Sequence, residues 1–249
     1  MKTNKSLGQH FLKNESIIQE ICESNSREYD FLIEVGPGPA TLTKTLATLK
    51  KPLYLIERDE RFIEELDQLG EHVTVFHEDA LAFDISKIAS QGNCWLVSNL
   101  PYNISVPLLM KFLGWDFLSE MTLMFQKEVG DKIINLERSN ALSICTHTQY
   151  KTRIVKRLKP GAFHPPPEVD SIVIHFTKLK TPLIPIAQIY EFKAFIQGIY
   201  NQKRKQIYKF VKQYFPENID DLFEKYDINR HARAENLTIT QLIGLFKEQ

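Results

Sequence analysis

Phe31-Leu32-Ile33-Glu34-Val35-Gly36-Pro37-Gly38-Pro39 is the stretch that decides how this chain folds. Its first five residues are mostly apolar and read as a buried strand, and the Gly-Pro-Gly-Pro that follows reads as a tight turn. Thr41 to Leu49 then reads as a helix. The alternation continues outward. Pro52 to Ile56 is a second predicted strand, Asp59 to Leu69 a charged amphipathic helix, Val73 to Phe76 a third strand and Trp95 to Ser98 a fourth. Met121 to Gln126 reads as a fifth, and Ile172 to Phe176 as a late strand suited to an antiparallel edge. Upstream, Asn14 is placed to cap a helix running to about Glu23, with Ile17, Ile18 and Ile21 on one face. Strands alternating with helices predict an α/β fold around a mostly parallel, doubly wound sheet. After Lys180 the pattern changes. Pro182 and Pro185 punctuate a linker, strand signals stop, and Ile189, Phe192, Phe195, Ile196 and Ile199 recur at helical spacing. The expected organisation is an α/β domain over 1–180 and a small all-helical domain over 181–249.

At 249 residues the chain is long enough for one full core and a smaller one. Its 31 basic and 31 acidic residues cancel, so any attraction to a polyanion must come from their distribution. Lys151, Arg153, Lys156, Arg157 and Lys159 form one run free of acids. Lys203, Arg204, Lys205, Lys209 and Lys212 form another, interleaved with Tyr200 and Tyr208. Lys2, Lys5 and Lys13 make the amino-terminal arm basic. One such run reads as a solvated face; three together point to a polyanionic partner. Cys22, Cys94 and Cys145 are odd in number and widely spaced, which argues for reduced thiols in a cytoplasmic protein and against a structural metal. Met1 to Ser16 is polar and basic, unlike a signal peptide, and no segment is apolar enough to cross a bilayer.

The predicted strand ends carry the chemistry. Gly36 and Gly38 let a ligand approach the backbone of the first strand-to-helix turn. Thr41 stands where the third glycine of a dinucleotide fingerprint belongs, which argues against a nicotinamide cofactor. Glu57 closes the second strand, where an acid can accept both hydroxyls of a ribose. Asp79, after the third strand, can accept from an adenine amine. Each acid taken alone is better read as an exposed strand-end carboxylate. In order at successive strand ends, they fit an adenosyl ligand with an amino-acid tail, S-adenosyl-L-methionine. Cys94-Trp95-Leu96-Val97 then runs into Asn99-Leu100-Pro101-Tyr102. Pro101 removes a backbone donor and ends the ladder. The amine of a purine is a poor nucleophile, because its lone pair is delocalised into the ring. Acceptors on both of its N–H groups, the Asn99 side-chain oxygen and the Leu100 carbonyl, favour a pyramidal nitrogen, while Tyr102 stacks on the base. The plain structural alternative is an Asn-x-Pro turn closing a strand.

These strings resemble the KsgA-type small-subunit ribosomal RNA adenine dimethyltransferases and, more distantly, the Erm methyltransferases. The match extends through Leu7 to Leu12, Glu34 to Gly38, Glu57 to Asp59, Asp79-Ala80, Asn99 to Ser105, Gln126 to Glu128, Phe163 to Ser171 and Arg233 to Leu237. The resemblance implies a Rossmann-like methyltransferase domain with a helical domain that helps hold RNA. It implies transfer of two methyls to N6 of each of two adjacent adenosines near the 3′ end of 16S small-subunit rRNA, during ribosome biogenesis. By the same implication His10, Leu12, Gly36, Gly38, Glu57, Asp79 and Asn99 contact S-adenosyl-L-methionine. Asn99, Leu100, Pro101 and Tyr102 handle the target base, and Phe163 supplies a second stacking surface. Lys151, Arg153, Lys156, Arg157, Lys203, Arg204 and Lys205 are the expected RNA contacts. The partner is rRNA within an assembling subunit; the protein is expected to be a monomer, without metal or membrane. His10 departs from the family's usual Asn, and Gln202 to Gln206 from its usual Arg-Arg-Lys run. The alternatives are an Erm-type large-subunit rRNA or DNA adenine methyltransferase and, outside enzymes, a ribosome-assembly binding factor.

Overall fold

The structure is a computed structural model that describes residues 10–88, 91–201 and 205–249. The chain divides into two compact units, Met1–Gly130 with Thr152–Lys178, and Asp131–Lys151 with Leu179–Gln249.

In the first unit, β1 (Phe11–Leu12) leads into α1 (Glu15–Cys22), whose first turn is closed by Asn14 accepting from the Ile17 N–H. Such a cap stabilises a helix by about 1 kcal/mol. β2 (Phe31–Val35) is buried along its whole length. The helix after it, α2 (Thr43–Ala47), is shorter than the sequence predicts, because residues 38–42 are taken up by the turn. β3 (Leu53–Glu57) follows, then a 3-10 turn capped by Asp59 and α3 (Ile63–Asp67), where one continuous helix was expected. β4 (Val73–His77), β5 (Cys94–Asn99), α4 (Ser105–Phe112), β6 (Leu118–Gln126) and α5 (Lys127–Ile134) complete the alternation. β7 (Tyr150–Leu158), β8 (Phe163–His164) and β9 (Ser171–Lys178) close the sheet system.

The main sheet has the order β4-β3-β2-β5-β6-β9-β7, and β1 pairs with β8 in a separate two-stranded sheet. From β4 to β6 all pairings are parallel, and β9 runs antiparallel to β6. Strand order reverses between β2 and β5, so the carboxyl ends of these two strands form a topological switch point, where open α/β sheets bind ligands. Two expectations need correction. The late strand is antiparallel, but it is internal; β7 occupies the edge. The basic run of residues 151–159, read as a surface patch without assigned structure, is mostly this edge strand. Lysine and arginine on an edge hide its alternation in the sequence and discourage pairing with other chains. Leu32, Leu55, Phe62, Trp95 and Val97 are among the side chains of the core on the strands' flank.

The second unit is built from two stretches of chain, Asp131–Lys151 and Leu179–Gln249, whereas the sequence reading assigned it only residues from 181 onward. It holds α6 (Ala141–His147), capped reciprocally by Asn140 and Ser143, and α7 (Ile189–Asn201). α8 (Tyr208–Val211), α9 (Ile219–Lys225) and α10 (Ile239–Lys247) follow. Ile189, Phe192, Phe195, Ile196 and Ile199 all face inward, as their spacing predicts. Phe246 of α10 meets the Phe192 ring edge-on at 5.1 Å. The Arg233 to Leu237 string forms a short clip, its Asn236 side chain accepting from the Arg233 N–H.

Candidate active site

Two clefts open side by side at the switch point and share Phe11, Gly36 and Pro101 in their walls. One encloses about 500 Å³ between His10, Glu34, Asn99 and Tyr102. The other encloses about 700 Å³ between Glu57, Asp79, Ala80 and Ile104.

The turn after β2 brings the backbone close to both clefts. Gly36 and Gly38 have φ of +66° and +54°, a region where side chains are strained, and a Cβ on Gly38 would lie 2.9 Å from the Phe11 ring. This turn is pinned to the end of β3. The Gly38 N–H donates to Glu57 Oε2 at 2.9 Å, and the Asp59 N–H donates to Oε1 at 2.7 Å. Burial raises the Glu57 pKa, opposed by these backbone donors. A carboxylate has about four acceptor sites, so Glu57 keeps capacity for a ligand hydroxyl beyond its backbone donors. Asp79 is held in a turn of its own, Oδ1 accepting from the Leu81 N–H at 2.9 Å and Oδ2 from Arg58 at 3.1 Å.

Asn99 ends β5. Its Nδ2 donates to the His10 carbonyl at 2.9 Å, which fixes the amide plane and leaves Oδ1 without a partner among the described residues. The amide that the sequence singles out thus commits its donor and keeps its acceptor available, in a side chain that lines the first cleft. Leu100 is buried, and Pro101 lies 3.7 Å from where a Gly36 side chain would begin. Tyr102 is anchored by a 2.5 Å hydrogen bond between its hydroxyl and Ser171 Oγ. Burial pushes its pKa up, so the phenol stays neutral. The His10 ring stacks on Tyr102 with centroids 5.6 Å apart and planes 26° from parallel. His10 Nδ1–H donates to the Pro165 carbonyl at 2.9 Å.

Of the expected site residues, His10, Leu12, Gly36, Asn99, Leu100, Pro101 and Tyr102 line the first cleft. Gly36, Gly38, Glu57, Asp79 and Pro101 line the second. Phe163, expected as a second stacking surface, lines neither cleft; it is 1% exposed, pairs with Leu12 across the small sheet and packs in the main core. Two residues join the site that the sequence reading did not assign to it. Phe11 stands between the clefts, and its signal was its place in the Leu7 to Leu12 string. Glu34 lines the first cleft at 2% exposure, with Oε2 unpartnered; burial pushes its pKa up to about 8. An acid in an otherwise apolar strand was the signal for it.

Along the β7 run, Lys156 pairs with Glu20 at 2.7 Å and Lys159 with Asp170 at 2.7 Å, while Arg153 donates to the Ser24 carbonyl. Lys205 is exposed; Lys203 and Arg204, like the amino-terminal arm before His10, lie outside the described residues. Among the described residues no group of three or more His, Cys, Asp or Glu is arranged to hold a metal, and no helix is long and apolar enough to cross a membrane. Cys22, Cys94 and Cys145 are free and buried.

Comparison with known proteins places this architecture. A family model described as ribosomal RNA adenine dimethylase matches residues 1–249. A ribosomal RNA small subunit methyltransferase A from Clostridium botulinum (strain ATCC 19397 / Type A) is 34% identical over 96% of this chain and 91% of that protein. One of the same description from Malacoplasma penetrans (strain HF-2) is 31% identical over 94% of this chain and 87% of its own length. Among solved structures, a dimethyladenosine transferase from Plasmodium falciparum superposes with a TM-score of 0.77 at 23% identity, over 96% of this chain and 97% of its own. The 23S rRNA methyltransferase ErmE gives 0.72 at 20%, over 96% and 100%. These two share the Rossmann-like fold.

Proposed function

This chain belongs to the ribosomal RNA adenine dimethylase family, and from that membership we propose that it methylates N6 of two adjacent adenosines near the 3′ end of 16S small-subunit rRNA. It is an rRNA adenine dimethyltransferase that uses S-adenosyl-L-methionine. We place the reaction in the cytoplasm, on rRNA within an assembling subunit, with the protein acting as a monomer. The helical unit, with the basic runs, helps hold the RNA.

The observation that carries the reading is Asn99, which lines the cleft beside Gly36 with its donor held by the His10 carbonyl and its acceptor left available. The residues fit the cofactor. Glu57 has acceptor capacity for ribose hydroxyls, Asp79 has acceptor capacity for an adenine amine, and the orphaned Glu34 Oε2 suits a donor on the amino-acid tail. When bound, S-adenosyl-L-methionine supplies a methyl group on a sulfonium, already a strong electrophile. The protein's contribution is alignment and desolvation. Tyr102, fixed by Ser171, offers a rigid aromatic surface to the base. Asn99 Oδ1 and the Leu100 carbonyl accept from the target amine, concentrating its lone pair on the attacking nitrogen. The proton leaves after transfer, so the chemistry calls for no strong base.

Incubating the protein with methyl-labelled cofactor and separated RNAs tests this. Label is expected in immature small-subunit RNA, with N6,N6-dimethyladenosine found there by mass spectrometry. Label confined to large-subunit RNA or DNA would establish the Erm-type or DNA alternative instead. RNA binding with no label in any of them would leave an assembly factor.

A further inference from the structure

Lys111 lies in the last turn of α4, where a lysine ordinarily interacts with its own helix's final carbonyls. Here it reaches elsewhere. Its ammonium donates to the carbonyls of Ala80 at 3.0 Å, Leu81 at 2.9 Å and Phe83 at 2.7 Å, residues 28 to 31 positions earlier in the chain. An ammonium has three N–H donors, and all three are used. No donor is left for a ligand or for RNA, so the role of this side chain is internal.

The loop it gathers is the wall of the second cleft. Glu78, Asp79 and Ala80 line that cleft from one side, and Asn103 and Ile104, immediately before α4, line it from the other. The loop is already turned from within, by the Leu81 N–H on Asp79 Oδ1 and the Ala82 N–H on the Asp79 carbonyl at 2.9 Å. Those bonds leave the carbonyls of Ala80, Leu81 and Phe83 to converge on one point, and Lys111 occupies it. Partial burial lowers the pKa of Lys111, and the charges of Asp79 and Asp84 oppose that fall.

We propose that Lys111 is a positioning residue that sets Asp79 and Ala80 at the correct distance from Asn103 and Ile104 to receive an adenosyl group. This inference rests on the reading of the second cleft as the adenosyl site. Its effect should fall on cofactor affinity and leave the methyl-transfer step alone, since Lys111 touches neither reacting atom.

The test compares wild-type protein with Lys111→Met and Lys111→Arg. Binding of S-adenosyl-L-homocysteine is measured by calorimetry, KM and kcat with rRNA by labelled methyl transfer, and unfolding by a thermal scan. Lys111→Met is expected to weaken S-adenosyl-L-homocysteine and raise the cofactor KM by roughly tenfold, the loss of one charged hydrogen-bonding group. Turnover at saturating cofactor should stay within about twofold of wild type. Lys111→Arg keeps the charge with a different fork and should fall between. Unchanged affinity in both variants, with or without a lower melting temperature, overturns the proposal. Should Lys111→Met fail to fold, Lys111→Arg decides alone, and an affinity equal to wild type overturns it. Failure of the wild-type protein to bind S-adenosyl-L-homocysteine would instead remove the functional reading on which the proposal stands.

Discussion

Asn99 shows how much one side chain can be asked to do. Its amide nitrogen closes the first cleft against His10, and its oxygen is left for chemistry. Asn99→Ala should lower kcat on the order of a hundredfold, the scale seen when one well-placed polar group is removed from a reacting centre. Labelled transfer checks this, and near-normal turnover would count against the mechanism. Glu34 makes a different prediction, about stability. Burial holds its pKa up at about 8 in the folded protein, far above that of an unfolded glutamate. Below an unfolded pKa of about 4.3 both states are protonated and burial carries no ionisation penalty. As pH rises from there toward 8, the unfolded chain releases the proton while the folded one keeps it, so stability falls, by about 1.4 kcal/mol per pH unit at most. Glu34→Gln removes that dependence. The melting temperature of the variant relative to wild type should therefore climb between pH 5 and 8 and level off above; a constant difference would show that Glu34 ionises normally.

At the scale of elements, β7 joins two roles that its sequence presented as one. It ends the sheet, and its cations are unequally committed. Lys156 and Lys159 are ion-paired, whereas Lys151 is exposed and has no ion-pair partner among the described residues. Exposed ion pairs contribute little to stability, but a paired lysine releases fewer counterions when it meets a phosphate. Lys151→Ala should thus reduce the salt dependence of RNA binding more than Lys156→Ala does, by up to about 0.7 in the log–log slope for a single-stranded contact. Equal slopes in a filter-binding titration would mean that β7 meets RNA without regard to these pairs, or does not meet it.

At the scale of the whole molecule, net charge is zero and affinity for RNA must come from local patches. Replacing Lys203, Arg204 and Lys205 together by Ala should weaken RNA binding and flatten its salt dependence, with cofactor binding unchanged. If affinity and slope both stay at wild-type values, the helical unit has no part in holding RNA. Much of the lining of the clefts was legible locally: Gly36, Gly38, Glu57, Asp79 and Asn99 to Tyr102 stand at or just after strand ends, and apolar runs ending in Gly-Pro-Gly or Asn-x-Pro announce where strands stop. Less was legible wherever a residue's role depends on a distant partner. Phe163 and Tyr102 are both aromatic residues in motif strings, yet one is sealed in the core and the other lines a cleft. Nothing local distinguishes them.

The sequence by itself determined the alternation of strands and helices, the helical periodicity after residue 180, and which acids, glycines and amide stand at the strand ends. Those are local properties, set by side-chain period and backbone preference over a few residues. Only the tertiary structure decided that the ends of β2 and β5 meet, that β7 and not β9 forms the edge, that residues 131–151 join the helical unit, and that Lys111 reaches back to the loop after Asp79. Each of those depends on which strands pair across the sheet. That choice is settled by burial summed over the whole core and leaves no mark in any single stretch of the chain.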